Sequence, residues 1–289
     1  MKLPYFPGCT LNTTAKGFDN ALRASAGALG LELVELPEWN CCGATFPLLV
    51  DNVLDLAGPA RVLLAGREAG ERLAVACTTC YNVLRRTNHA LVVDDDRRDK
   101  LNFFIEADYN GDLQVVDVLQ ILRDEVGFDK ISQMVTNPLT GLRAAAYYGC
   151  MVLRPADEVA YDDPENPHVL DDLLSALGAE TVNYPHRGEC CGSYLSILSS
   201  EVTNTMARTI LMSAQKNGAQ LMVTNCPLCQ FNLDRQQLEM GRRYADYQPL
   251  PVLYFSQLLS VALGLGTVDL GWDRHCVHPE PILAPFQPR

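Results

Sequence analysis

Ten of the eleven cysteines in this chain fall into two sets of five in the same order. Cys9 is followed by the pair Cys41-Cys42 with Gly43, and then by Cys77-Thr78-Thr79-Cys80. Cys150 is followed by Cys190-Cys191-Gly192, and then by Cys226-Pro227-Leu228-Cys229. The pair and the Cys-x-x-Cys are separated by 34 residues in both copies, 43–76 and 192–225, whereas the single cysteine precedes the pair by 31 residues in one copy and 39 in the other. Only Cys276 lies outside the scheme. Five thiols per copy point to metal chemistry. A structural zinc ion closes its shell with four ligands, which leaves a fifth thiol spare in both copies. Successive side chains of an extended strand diverge, so an adjacent Cys-Cys pair serves two metal atoms better than one. The pattern favours a multinuclear iron–sulfur centre held by thiolates. Zinc is the alternative, because Cys-x-x-Cys is also a common zinc half-site. The ordinary ferredoxin run of closely spaced cysteines is absent.

The elements that must position these thiols repeat as well. Tyr5-Phe6-Pro7-Gly8 before Cys9 matches Tyr147-Tyr148-Gly149 before Cys150, and Asn82 and Asn232 follow the two Cys-x-x-Cys pairs. The stretch 113–122 matches 250–259. We read a tandem duplication, with an N-terminal unit over 1–140 and a C-terminal unit over 141–289, near the usual domain size. Within each unit apolar runs alternate with helical periodicity. Strands are predicted at 3–6, 31–36 and 73–76 and again at 144–148, 180–184 and 220–224, with helices at 15–29, 53–70, 170–177 and 202–217. This is an α/β pattern, two copies of a Rossmann-like parallel-sheet domain. The cysteines fall just past strand ends, where open parallel sheets place their ligands. The stretch 250–265 reads as a buried helix despite Ser256, Gln257 and Ser260. The acidic run from Asp94 to Arg98 reads as a solvated turn.

With 289 residues, 48% apolar and 20% charged, the composition is that of a globular protein. A formal charge of −12 argues against nucleic acid and anionic membrane as main partners. The N-terminus has no apolar signal segment, and no run of 18 apolar residues is present, so no membrane insertion is expected. These features place the protein in the cytoplasm, where thiols stay reduced and eleven cysteines are not disulfide staples.

Two copies of Cys…Cys-Cys-Gly…Cys-x-x-Cys spanning the chain resemble the cysteine-rich CCG-domain family, and within it the B subunits of heterodisulfide reductases. The resemblance implies that Cys9, Cys41, Cys42, Cys77 and Cys80 hold one open, noncubane [4Fe-4S] cluster. Cys150, Cys190, Cys191, Cys226 and Cys229 would hold a second, with both facing a cavity between the halves. It implies an oxidoreductase that cleaves a small disulfide of the CoM-S-S-CoB type, or a bacterial equivalent, with Cys42 and Cys191 as ligands at the reaction centre. The expected partners in the complex are its ferredoxin-like C component and its flavin-containing A component, with a hydrogenase or formate dehydrogenase module beyond them. Related modules in quinone-linked dehydrogenases relay electrons, which is the alternative function; a zinc-stabilised assembly protein is a rival of another class. Met151 stands where the family often has His, which removes a local proton donor or substrate contact. His186, four residues before Cys190, is the candidate proton donor, since imidazole titrates near neutrality. Its bland reading is a solvated loop residue, as it is for Lys16 and Arg154, the candidate cations for an anionic substrate. Gly43 and Gly192 free the backbone for a close approach, and Pro227 suits the first turn of a helix whose N–H groups face the cluster sulfurs.

Overall fold

A computed structural model describes residues 1–44, 52–159, 161–245 and 247–286. The chain forms two four-stranded parallel sheets. The first contains β1 (Lys2–Phe6), β2 (Glu32–Glu35), β3 (Arg72–Val75) and β4 (Gln114–Asp117), in the order β2-β1-β3-β4. The second contains β5 (Arg143–Ala146), β6 (Glu180–Thr181), β7 (Leu221–Thr224) and β8 (Val252–Tyr254), in the order β6-β5-β7-β8. The tandem Rossmann-like reading holds. Parallel strands need long crossovers, and helices supply them: Lys16–Ala28 and Ala57–Ala69 in the first module, Val169–Ala176 and Ser200–Lys216 in the second. Covered on both faces, the central strands are unbroken apolar runs; Leu73, Ala74 and Val75 have no exposed surface, nor do Leu221, Met222 and Val223.

This order explains where the cysteines sit. The chain leaves β1 towards β2 on one side and returns to β3 on the other, so the topological switch point lies between β1 and β3, and between β5 and β7 in the second module. A crevice opens there at the carboxyl ends of the strands. Cys9 and Cys77 follow β1 and β3 directly, and Cys150 and Cys226 follow β5 and β7.

Two expectations need correction. The stretch 250–265 is not one helix: Val252–Tyr254 is the fourth strand of the second sheet, and only Phe255–Ala262 is helical. Val252, Leu253 and Tyr254 pair with β7, and this sheet pairing overrides the local helical pattern. The acidic run is a helix start, not a turn. Asp94 caps the helix Asp95–Ile105 by accepting from the Arg97 N–H at 3.0 Å, and Asp95 and Asp96 lie in its first turn, where acidic groups favour the helix dipole.

The modules interlock through the helices that follow their last strands. Phe255–Ala262 packs on Lys16–Ala28 of the other module. There the Phe18 and Tyr254 rings stack at 4.5 Å, and the Ser256 hydroxyl donates to the Phe18 carbonyl at 2.9 Å. In the reciprocal place Val118–Ile121 meets Val169–Ala176. A buried carboxyl lies at this second joint. Asp117, 1% exposed, accepts from the Leu119 N–H and the Tyr161 hydroxyl through Oδ1, while Oδ2 has no partner among the described residues. Burial raises it to about 7. The folded protein therefore keeps a proton that the unfolded chain releases near pH 4. Its contribution to stability is complete below about pH 4, falls as pH rises to about 7, and is flat above. Asparagine supplies the same capping acceptor without a charge. Asp117→Asn is expected to match the parent at pH 4 and exceed it at pH 8, by an amount on the order of a few kcal/mol. Urea denaturation at both pH values checks this, and an equal pH slope in the two proteins would exclude it.

Candidate metal centres

In the first module the thiols form a string of contacts. Cys9 Sγ lies 3.8 Å from Cys41 Sγ, and Cys42 Sγ lies 3.3 Å from Cys80 Sγ. Cys41 also contacts Cys42, and Cys80 contacts Cys77. The order is single cysteine, pair, second Cys of the Cys-x-x-Cys, first Cys. In the second module the corresponding neighbours shift one another's acidity: Cys150 and Cys190, Cys190 and Cys191, Cys191 and Cys229, and Cys229 and Cys226. Among the described residues no three or more His, Cys, Asp or Glu side chains stand arranged as a group that could hold a metal ion. The arrangement is a string of five donors, not a closed cage of four.

The electrostatics fit a polynuclear cation. Cys42 is lowered to about 4, first by the Cys41 thiol and then by that of Cys80, while Cys80 is pushed up by the thiols of Cys42 and Cys77. In the second set the balance falls on the other member of the pair: Cys190 is lowered by Cys150 and Cys191, while Cys191, the counterpart of Cys42, is pushed up to about 12, first by Cys190. Neighbouring thiols stabilise one thiolate and oppose the next. Five neighbouring thiolates, three of them buried in each set, need positive charge among them, which several iron ions provide.

The backbone is shaped for the same purpose. Gly43 and Ala44 have φ of +81° and +54°, and Gly192 and Ser193 have +97° and +44°. The two positive-φ residues after each pair turn the chain so that backbone N–H groups point back at the thiols. The Gly43 N–H points at Cys41 Sγ at 3.4 Å, that of Ala44 at Cys42, and those of Gly192 and Ser193 at Cys190 and Cys191. Holding Ala44 and Ser193 there costs on the order of 1–3 kcal/mol each. The Cys-x-x-Cys pairs begin the helices Thr78–Val93 and Pro227–Arg243, whose N-termini face the strings, with Pro227 in the first turn as expected. Two other glycines lie against ligand thiols. A Cβ on Gly8 would stand 2.9 Å from Cys80 Sγ, and one on Gly149 would stand 3.1 Å from Cys229 Sγ, while at Gly192 it would meet Thr203 instead.

The strings match, but their surroundings do not. A cavity of about 510 Å³ between the modules is lined by all five cysteines of the first set, by Tyr194, Leu228, Phe231 and Tyr254 of the second module, and by none of the second set. The unequal spacing after the single cysteines accounts for this. The longer segment after Cys150 covers the Thr78–Val93 helix: the Asn82 amide donates to the Met151 and Arg154 carbonyls at 2.7 and 2.8 Å, the Tyr81 hydroxyl donates to the Val159 carbonyl at 2.9 Å, and Arg86 pairs with Glu158 at 3.0 Å. The shorter segment after Cys9 leaves the matching face of Pro227–Arg243 open, and the cavity occupies that place. Asn82 and Asn232, which follow their cysteines at different distances, are not equivalent. Asn232 holds its own module's loop by donating to the Ser193 carbonyl at 2.9 Å.

Three cavity residues escape a reading from sequence alone. Arg235 and Arg274 are its cations, whereas Lys16 and Arg154 lie on the exposed surface outside it. Cys276 is in its wall, held where the Cys276 and Val277 N–H groups donate to the buried Asp234 carboxylate at 2.6 and 2.9 Å. No local pattern marks these residues; only the Cys-x-His spacing near the end of the chain draws attention to Cys276. His186 pairs through Nδ1 with Glu189 Oε1 at 2.7 Å on the loop before Cys190 and does not line the cavity.

Two parallel-sheet modules, each with five thiols at its switch point, define a duplicated cysteine-rich protein. Residues 3–85 and 144–234 match the CCG cysteine-rich domain, and the chain belongs to that family. It is 32% identical over 276 residues to the 8-methylmenaquinol:fumarate reductase membrane anchor subunit of Wolinella succinogenes, covering 94% of this chain and 96% of the relative. It is 28% identical over 289 residues to the B subunit of the ferredoxin/F(420)H(2)-dependent CoB-CoM heterodisulfide reductase of Methanosarcina acetivorans, covering 98% and 96%. A protein of Archaeoglobus profundus described as like the B subunit of heterodisulfide reductase is 30% identical over 273 residues, covering 91% of each chain. The crystal structure of a hypothetical protein from Helicobacter pylori has the same fold, with a TM-score of 0.74 at 12% identity over 96% of this chain, which spans 52% of that one. Among the described residues no helix is long and apolar enough to cross a membrane.

Proposed function

We propose that this chain is the catalytic iron–sulfur subunit of a heterodisulfide reductase-like complex in the cytoplasm. Each five-cysteine set, in units 1–140 and 141–289, holds one noncubane [4Fe-4S] cluster. Electrons arrive from ferredoxin-like and flavin-containing partners in the complex, with a hydrogenase or formate dehydrogenase module behind them. The observation that carries the reading is the repeated set of five neighbouring thiols in the two modules, of which the first opens on a cavity large enough for a small molecule. The clusters, when bound, supply electrons one at a time and an accessible iron for sulfur. The chain's own residues do the rest. Leu228, Phe231 and Tyr254 cover the apolar part of a small disulfide and exclude water, and Arg235 and Arg274 attract its anionic ends. Two electrons and two protons convert the disulfide to two thiols; His186, outside the cavity on the loop before Cys190, we assign to proton delivery at the second set and not to a substrate in the cavity.

A second reading is favoured by one observation. The cavity touches a single set, which suits a relay between a partner and an electron carrier such as a quinol, and the fumarate reductase relative supports it. Anaerobically purified, dithionite-reduced protein separates the two. Rapid reoxidation by CoM-S-S-CoB or another small mixed disulfide is the expected result. Reoxidation by a menaquinone analogue alone would favour the relay. Two zinc ions and no acid-labile sulfide would overturn both.

A further inference from the structure

The two Cys-x-x-Cys helices meet end to end across the module boundary. The Thr78 hydroxyl donates to the Asn225 carbonyl at 3.1 Å, a contact between residues 147 apart in sequence. Next to it Thr79, 4% exposed, places its hydroxyl 3.8 Å from Cys226 Sγ. The first module thus sends a side-chain donor to a ligand sulfur of the second. The reverse contact has no counterpart in chemistry, because the residue corresponding to Thr79 is Leu228, which has no hydroxyl and lines the cavity beside the first set.

A cysteine sulfur bound to iron has lost its proton, so in the Thr79–Cys226 contact the hydroxyl is the donor. A hydrogen bond to a ligand sulfur draws electron density from the metal centre and favours its reduced, more negative state. We propose that Thr79 is a positioning residue that raises the reduction potential of the cluster on the second set, and so makes the two clusters unequal electron acceptors. The inference rests on the reading that each set holds an iron–sulfur cluster. It adds a cross-module influence to the contacts each set has within its own module, the Thr10 hydroxyl 3.7 Å from Cys9 Sγ in the first and the Asn232 amide 3.5 Å from Cys191 Sγ in the second.

The test uses the full chain, purified anaerobically, with iron and sulfide counted before any potential is measured. Absence of iron and sulfide from the parent protein would refute the underlying reading, and the metal assay alone shows this. With the clusters present, redox titration followed by electron paramagnetic resonance compares the parent with Thr79→Val, which keeps the shape, and Thr79→Ser, which keeps the hydroxyl. Thr79→Val is expected to shift one of two one-electron equilibria about tenfold, a lowering of about 59 mV. Thr79→Ser should stay near the parent. In a Cys42→Ala background, where only the second set is whole, the same lowering should persist. An unmoved potential in fully loaded Thr79→Val, or a shift seen only in a Cys191→Ala background, would overturn the proposal. So would loss of iron from both Thr79→Val and Thr79→Ala with retention in Thr79→Ser, which would make the hydroxyl a structural support for cluster assembly.

Discussion

Cys42→Ala is expected to remove about half of the bound iron and sulfide and to lower turnover by more than about 100-fold. Cys42 sits in the middle of the first string, 3.3 Å from Cys80 and in contact with Cys41, so its loss divides the five donors into two pieces. At 2% exposed it has little room for water to take the place of sulfur. Its neighbours were balanced around the Cys42 thiolate, which they hold at about 4. Without it Cys80 loses the neighbour that does most to raise it, and the remaining thiols no longer surround one centre. Cys191→Ala should remove the other half of the iron, because Cys191 holds the same position between Cys190 and Cys229. Cys276→Ala is the control. Its thiol lies in the cavity wall against Asp234 and outside both strings, so the iron content should stay at that of the parent. Iron and sulfide assays on the three variants check the assignment. Full iron in Cys42→Ala would remove Cys42 from the ligand set, and turnover surviving both Cys42→Ala and Cys191→Ala would remove the clusters from the reaction.

Gly8→Ala is expected to cost the first module its cluster although no ligand is changed. Gly8 has φ of +74°, and a Cβ there would stand 2.9 Å from Cys80 Sγ, a separation at which atoms must move. The sulfur is the atom that must give way, and it belongs to the string. Strain alone does not account for the expected loss. Gly30 has φ of +83° with nothing within 4 Å of the added carbon, so Gly30→Ala carries the left-handed penalty of about 1 kcal/mol without crowding a thiol. The expected pattern is about half the iron in Gly8→Ala, full iron in Gly30→Ala, and melting temperatures that fall modestly in both. Gly149→Ala should show a milder loss from the second module, since its contact with Cys229 is 3.1 Å. Retention of all iron in Gly8→Ala would show that the cluster site does not depend on this approach.

Much of the fold was legible because parallel strands and their crossover helices leave local signatures. The run Leu73 to Ala76 and the Ala-rich stretch around Lys16–Ala28 announce themselves by composition and period. The stretch 250–265 misled because Val252, Leu253 and Tyr254 are apolar on all sides, as buried strands and buried helices both are. Asp94 to Arg98 misled because a cap and a solvated turn use the same acidic residues. At the site, the glycines were seen in the right motif. Their separate tasks were not: Gly43 and Gly192 turn the chain, while Gly8 and Gly149 make room for sulfur.

The sequence by itself determined the duplication, the two sets of five thiols and their place at strand ends. Each follows from spacing within one module, where a helix or strand fixes the distance between near neighbours. Tertiary structure decided everything that depends on how the modules close on each other. It put Tyr194, Leu228 and Phe231 over the first set, brought Arg235, Arg274 and Cys276 to the same cavity, and carried Thr79 to Cys226. It also turned a difference in spacing, 31 residues against 39, into one open site and one covered helix. Contacts between residues some 147 positions apart have no period to betray them; they exist only once two interlocked cores have set the distance.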